Sequence, residues 1–138
     1  QAAIFETRGN KDCHVILRGG KQPNYQKADV DAACALLQAA GLREQVMIDV
    51  SHANSSKQHQ RQINVAAEVA AEIAAGDHRI TGVMIESHLE EGRQDIVPGQ
   101  PLKHGVSVTD ACISLAQTVP VLQGLAAAVQ LRRGHNIK

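Results

Sequence analysis

Arg18, His52 and Glu86 stand at a constant interval of 34 residues. Each closes or directly follows a short apolar run: HVILR at 14–18, QVMIDVSH at 45–52 and GVMIE at 82–86. An arginine guanidinium is a planar fork suited to a carboxylate or phosphate. An imidazole and a carboxylate are ligands for a divalent metal ion, and Asp110, beyond a long polar loop, offers a second carboxylate. This mixed nitrogen and oxygen set suits Mn, Fe, Co or Zn and does not choose among them. The same residue types also fit a hydrogen-bonded histidine near a strand end and carboxylates that cap helices or loops. The regular placement is what favours a site.

A strand, a helix and two loops occupy about 34 residues, so the interval reads as consecutive βα units of a parallel sheet. Polar groups at the carboxyl ends of neighbouring parallel strands converge where α/β proteins place their chemistry. The expected strands are 14–18, about 45–51 and about 80–85. A helix over about 28–40 places Val30, Ala33, Leu37 and Ala40 on one stripe, with Gly41 at its end. A second helix over about 56–75 places Ile63, Ala66, Ala67, Ala70 and Ile73 together, with Asn54, Ser55 and Ser56 as caps and Gly76 at its end. A last helix over about 119–132 has Pro120 in its first turn and Gly134 beyond its end. Residues 1–13 read as an incoming connection with a turn at Gly9-Asn10. The polar stretch EEGRQDIVPGQPLKHG, after Glu86-Ser87-His88, reads as a binding loop, a lid or a disordered segment.

Side-chain alternation groups His14, Ile16 and Arg18 on one strand face, Val46 through His52 in steps of two on another, and Gly82, Met84 and Glu86 on a third. If the strands pair in parallel, these sets can end one sheet face. Asp49 then points away from His52, in a supporting or packing role. Gly19-Gly20-Lys21 offers backbone N–H groups beside Arg18 for an anion, or is a plain surface turn. Ser55-Ser56-Lys57 reads better as a helix cap than as an anion site. His88 and Lys103 lie near the expected mouth, facing substrate or solvent.

Composition excludes several classes. Fourteen Lys/Arg residues balance fourteen Asp/Glu residues, and Tyr25 and Phe5 are the only aromatics. No broad basic face or stacking platform suggests nucleic acid. No apolar run spans a membrane, and QAAIFETRGN does not resemble a signal peptide. Cys13, Cys34 and Cys112 lack CxxC spacing and read as reduced, individually buried thiols of a cytoplasmic protein. The 138 residues read as one domain-like segment, yet three strands with helices on one side leave edges and a face uncovered. A barrel of eight βα units takes about 250 residues.

At GNKDCHVILRGGK (9–21), QVMIDVSHANSSKQ (45–58), GVMIESHLEEG (82–92) and SVTDACI (107–113) the chain closely resembles the type I 3-deoxy-D-arabino-heptulosonate 7-phosphate (DAHP) synthases. The motifs follow in order and the resemblance runs from about residue 2 to Gly134. It implies an α/β fold, the last three βα units of a TIM (β/α)8 barrel, with residues 1–138 as the carboxyl-terminal part of one barrel domain. It further implies a metal-dependent transferase of the shikimate pathway that condenses phosphoenolpyruvate with erythrose 4-phosphate and water. Arg18 matches the arginine that holds phosphoenolpyruvate. His52 matches a metal ligand beside that substrate, and Glu86 and Asp110 match the metal-binding carboxylates, Asp110 also lying near the aldehyde. His52 and Asp110 are thus the expected catalytic groups. A cysteine ligand and further basic residues of the family belong to earlier strands absent here, and neither Cys13 nor Cys112 takes that ligand's place. Residues 1–8 match a segment near the family's feedback-inhibitor site, without indicating the inhibitor.

The expected partners are the two substrates, the amino-terminal part of the barrel and further copies of the same chain, in a number left open. The 138 residues alone are expected to show little or no synthase activity. Two alternatives stand beside this reading: a non-catalytic fragment that serves as an assembly or binding module through its sheet edges, and the related 3-deoxy-octulosonate-phosphate synthases, which the motifs fit less well.

Overall fold

The apolar runs form a parallel sheet with helices as crossovers. A computed structural model describes residues 2–10 and 12–135. Gln1 and Lys11, in the expected incoming connection, lie outside the described residues. The order is β1 (Val15–Leu17), α1 (Lys27–Ala39), β2 (Val46–Asp49), α2 (Arg61–Ala74) and β3 (Ile80–Met84). The strands lie side by side in the order β1-β2-β3, all parallel. The 34-residue interval therefore corresponds to one strand, one helix and their loops. The remaining elements are β4 (Ser87–His88), β5 (Ile113–Ser114) and α3 (Leu115–His135). None of the described helices is long and apolar enough to cross a membrane.

Pairing sets Leu17 opposite Ile48, and Ile48 opposite Val83, so one sheet face presents branched aliphatic side chains. Val30 and Cys34 from α1, Val65, Val69 and Ile73 from α2, and Ala128 from α3 complete this core. Each fully buried valine or isoleucine contributes roughly 1.5–3 kcal/mol relative to exposure. The opposite face carries Ile16, Met47 and Gly82 in one row. Gly82 makes room there, because an added Cβ would stand 3.1 Å from the Met47 methyl carbon. Among the described residues no helix packs over this face, and Ile16 is 46% exposed. The sequence reading of an unclosed sheet holds.

Three expectations shift. The second helix begins at Arg61 rather than 56, and residues 51–59 form successive turns. Asn54 does not cap that helix. It is fully buried, donating to the Leu17 carbonyl at 3.1 Å and the Asp49 carbonyl at 2.7 Å, and accepting from the Asn24 amide at 2.8 Å. Backbone groups at strand ends need partners, and one side chain serves two strands and a loop. The stripe Ile63, Ala67 and Ala70 turns toward α3, where it faces Pro120, Val121 and Leu125, while Val65 and Val69 face the core.

The last helix starts earlier than its proline suggested. The Ser114 hydroxyl accepts from the Gln117 amide at 3.2 Å, and the Gln117 side-chain oxygen accepts from the Ser114 amide at 2.7 Å. This reciprocal Ser-x-x-Gln cap places Pro120 and Gly134 inside the helix. Arg132 holds the far end, donating to the carbonyls of Asp77 and Ile80. The long polar loop is folded as well. Gln94 donates to the carbonyls of Lys103 and Val106 and accepts from the Lys103 amide, closing its tip.

Asn54→Ala leaves two carbonyls and one amide short of a partner. At about 1–3 kcal/mol for an unsatisfied buried group, the substitution is expected to cost at least ~2 kcal/mol in urea unfolding. It should also speed hydrogen exchange at the Asn24 amide. An unchanged unfolding midpoint would contradict this role.

Candidate active site

The central strand ends on a buried charge. Asp49 is 1% exposed, and its Oδ1 accepts from the Ser51 amide at 2.9 Å and the Ser51 hydroxyl at 2.7 Å. Its Oδ2 accepts from His52 Nδ1 at 2.8 Å, with Arg18 Nε 3.7 Å away. Asp49 and His52 therefore meet, contrary to the alternation argument. Alternation holds only while the chain stays extended, and β2 stops at Asp49. His52 then takes a left-handed backbone (φ 46°), which turns its ring back onto the Asp49 side of the sheet. Non-glycine residues take this conformation at a cost, and Ser56 and Lys57 in the same turn share it.

The row Ile16–Met47–Gly82 also orients the neighbouring groups. Arg18 is two residues beyond Ile16 and Glu86 two beyond Met84, so both emerge on the face that Asp49 occupies. Asp110 arrives from the returning arm of the long loop. Gly92 and Cys112 exchange backbone hydrogen bonds, and the Ile113 amide donates to the Glu86 carbonyl at 3.0 Å. Those bonds bring Asp110 beside Glu86.

One ligand atom each from His52, Glu86 and Asp110 lies within 4.8 Å of the other two, and His52 Nε2 is 3.4 Å from Glu86 Oε1. Ligands bound at about 2.0–2.2 Å around one ion stand roughly 3–4 Å apart, so only a small inward movement would be needed for the set to hold a cation. The tautomer follows from the neighbours. Ser51 spends its hydroxyl proton on Asp49, and Asp49 is an acceptor, so His52 Nδ1 carries the proton. The Nε2 lone pair is then free to bind a metal ion. Burial pushes the Glu86 carboxyl above its ordinary range, and the Asp110 and Asp49 carboxylates add to that rise. A cation among these carboxylates would relieve their repulsion.

His52, Glu86 and Asp110 line a cavity of about 440 Å³ together with Arg18, Gly19, Gly20, Ser55, Lys57 and His59. Arg18 forms one wall. Gly19 lets that wall approach the 53–54 turn, since its φ is +75° and an added Cβ would stand 2.8 Å from Ala53 Cβ. The glycine amides are not free for an anion, however. Gly19 N–H donates to Asn24 Oδ1 at 2.6 Å and Gly20 N–H to the Gln22 carbonyl at 3.0 Å. The cationic side chains at the cavity are Arg18 and Lys57.

Four sequence expectations thus converge: Arg18, His52, Glu86 and Asp110 share one cavity. His88 and Lys103 do not line it; both are exposed. Lys57 and Ser55 reach the rim from a turn that had read as a helix cap. His59 carried no signal in the sequence. It is 2.8 Å from Glu91, which also accepts from Gln60 and Gln117 and so ties the long loop to the rim. Cys34 and Cys112 are buried as expected, but Cys13 is exposed; all three are free thiols.

A parallel α/β sheet with a guanidinium and a His–Glu–Asp set at its strand ends is the arrangement in which α/β proteins place ligand sites, at the carboxyl edge of the strands. Comparison with known proteins narrows that class. Residues 1–123 match the DAHP synthetase I family. The chain is 54% identical over 133 residues to the Phe-sensitive phospho-2-dehydro-3-deoxyheptonate aldolase of Escherichia coli K12, covering 96% of this chain and 38% of that protein. It is 55% identical over 137 residues to the tyrosine-inhibited phospho-2-dehydro-3-deoxyheptonate aldolase of Schizosaccharomyces pombe, covering 96% and 37%. The structure of phospho-2-dehydro-3-deoxyheptonate aldolase from Francisella tularensis SCHU S4 superposes with a TM-score of 0.89 at 50% identity, over 94% of this chain and 38% of that one. The chain belongs to the DAHP synthetase I family, and it spans somewhat over a third of the length of these relatives.

Asp49→Asn tests the histidine's orientation without any metal. An amide can present N–H to His52 Nδ1 and favour the wrong tautomer. Imidazole ¹⁵N shifts are expected to show the proton on Nδ1 in the parent protein and largely on Nε2 in the variant. Identical tautomers would contradict the assignment.

Proposed function

We propose that this chain is the carboxyl-terminal part of a single DAHP synthase-like domain, contributing the last three βα units of a (β/α)8 barrel. The reaction condenses phosphoenolpyruvate with erythrose 4-phosphate and water to give DAHP and phosphate, the first step of the shikimate pathway. The observation that carries this reading is the meeting of Arg18, His52, Glu86 and Asp110 in one cavity, within a chain of this family. The partial length and the bare sheet face support the assignment of the other βα units to the amino-terminal part.

His52 Nε2 and the carboxylates of Glu86 and Asp110 would hold a divalent cation, whether Mn, Fe, Co or Zn. That ion supplies Lewis-acid polarisation of the aldehyde. Arg18 offers its fork to the anionic groups of phosphoenolpyruvate and fixes that substrate beside the ligand set. Carbon 3 of the enol attacks the aldehyde carbon, whose oxygen takes up a proton. Water adds at carbon 2, and phosphate leaves as the carbon–oxygen bond breaks. Asp49 keeps His52 in its ligating tautomer throughout, and Asp110 stands on the side of the cavity assigned to the aldehyde. The complete protein works in the cytoplasm as a self-associating enzyme, and the three free thiols of this chain agree with a reducing compartment.

In the complete protein, His52→Ala is expected to weaken metal binding and to lower turnover by about a hundredfold or more, the scale of losing one strong electrostatic contributor. Steady-state release of phosphate from phosphoenolpyruvate and erythrose 4-phosphate measures the turnover, and calorimetric titration measures the affinity. Parental values for both would remove His52 from the site. Preference for arabinose 5-phosphate over erythrose 4-phosphate would instead point to the octulosonate-phosphate synthases.

A further inference from the structure

Glu86 stands beyond the end of β3, where the sheet no longer offers its backbone a neighbour. The Met84 carbonyl still accepts from the Val50 amide at 3.0 Å. Two residues later β2 has turned away into the His52 loop, and the backbone of Glu86 needs other partners.

A side chain supplies them. Gln62, in the first turn of α2, is 1% exposed. Its Oε1 accepts from the Glu86 amide at 2.8 Å, and its Nε2 donates to the Glu86 carbonyl at 3.1 Å. One buried amide thus mimics a strand neighbour for a single residue. On the other side the Ile113 amide donates to the same carbonyl at 3.0 Å. The peptide groups of Glu86 are held from both flanks, by α2 and by the segment that carries Asp110.

We infer that Gln62 is a positioning residue for the ligand set: it fixes the Glu86 backbone so that the carboxylate meets His52 and Asp110 at one point. This rests on the metal reading given under Proposed function. A buried amide in an apolar setting is costly unless paired, and hydrophobic residues fill the neighbouring positions of α2 that face the core. Tethering α2 to the sheet would not by itself need this partner; Val65 and Val69 already do so through the core. The double hydrogen bond instead controls where one carboxylate starts. Groups behind a ligand typically alter metal affinity 10–100-fold when removed.

Cobalt(II) titration of the complete protein tests this, with the parent, Gln62→Met and Gln62→Glu compared. Methionine keeps the length and loses both hydrogen bonds; glutamate keeps an acceptor for the Glu86 amide but cannot donate to its carbonyl. Gln62→Met is expected to bind cobalt about 10–100-fold more weakly and to change the visible ligand-field bands, with Gln62→Glu in between. Parental affinity and spectrum in Gln62→Met, even with a lowered melting temperature, would overturn the inference and leave Gln62 a purely structural residue. If the methionine variant does not fold, parental cobalt binding by Gln62→Glu overturns it equally. A parent protein that takes up no cobalt would sink the metal reading itself, and this inference with it.

Discussion

A carboxylate buried at the end of the central strand organises this site. Asp49 is almost without solvent, and a charge so placed must be paired and hydrogen-bonded to persist. Ser51, His52 and Arg18 meet that demand from three directions. To do so the chain leaves the strand at once and bends through a left-handed histidine. The bend gives His52 its orientation, and the hydrogen bond gives it its tautomer. Arg18 is drawn to the same carboxylate from the neighbouring strand end. A feature that looks like local charge satisfaction thus sets the relation between Arg18 on one side of the cavity and His52, Glu86 and Asp110 on the other.

The surrounding fold serves that arrangement from one side only. Helices cover the face bearing Leu17, Ile48 and Val83, while Ile16 and Met47 lie on a face over which no helix packs among the described residues. Stability therefore comes from a half-core, reinforced by polar stitches where strands end. Asn54 joins β1, β2 and the 19–24 loop; Gln94 folds the long arm on itself; Arg132 pins α3 to the start of β3. Asn54 uses a side chain where a continuing sheet would use backbone. The family membership and the fraction of the relatives' length fit this picture of a sheet meant to continue.

Much of this was legible in the residues. The apolar runs and the 34-residue interval mark the three strands and their parallel order, because burial on a helix-covered face demands branched aliphatics in short blocks. Arg18, His52 and Glu86 could be singled out as candidates because each follows an apolar run at a strand end, and Asp110 because it follows the long polar loop. What could not be read was local and geometric. Alternation put Asp49 and His52 on opposite sides, since no residue type announces a left-handed histidine. Asn54 and Ser55 looked like helix caps, since capping and strand-end satisfaction use the same side chains. Pro120 suggested a late helix start, although Ser114 and Gln117 carried the true signal. Gln62 and His59 carry no signal of their own within the expected second helix, and only tertiary contact gives them roles.

The claim at the centre is that His52, Glu86 and Asp110 close on a single cation. Crystals of the complete protein grown with manganese, with anomalous diffraction recorded on both sides of the manganese edge, test it most directly. One anomalous peak is expected within about 2.0–2.3 Å of His52 Nε2 and of a carboxylate oxygen from each acid, the usual range for such ligands. A peak bound elsewhere, or one that leaves any of the three side chains pointing away from it, would contradict the account.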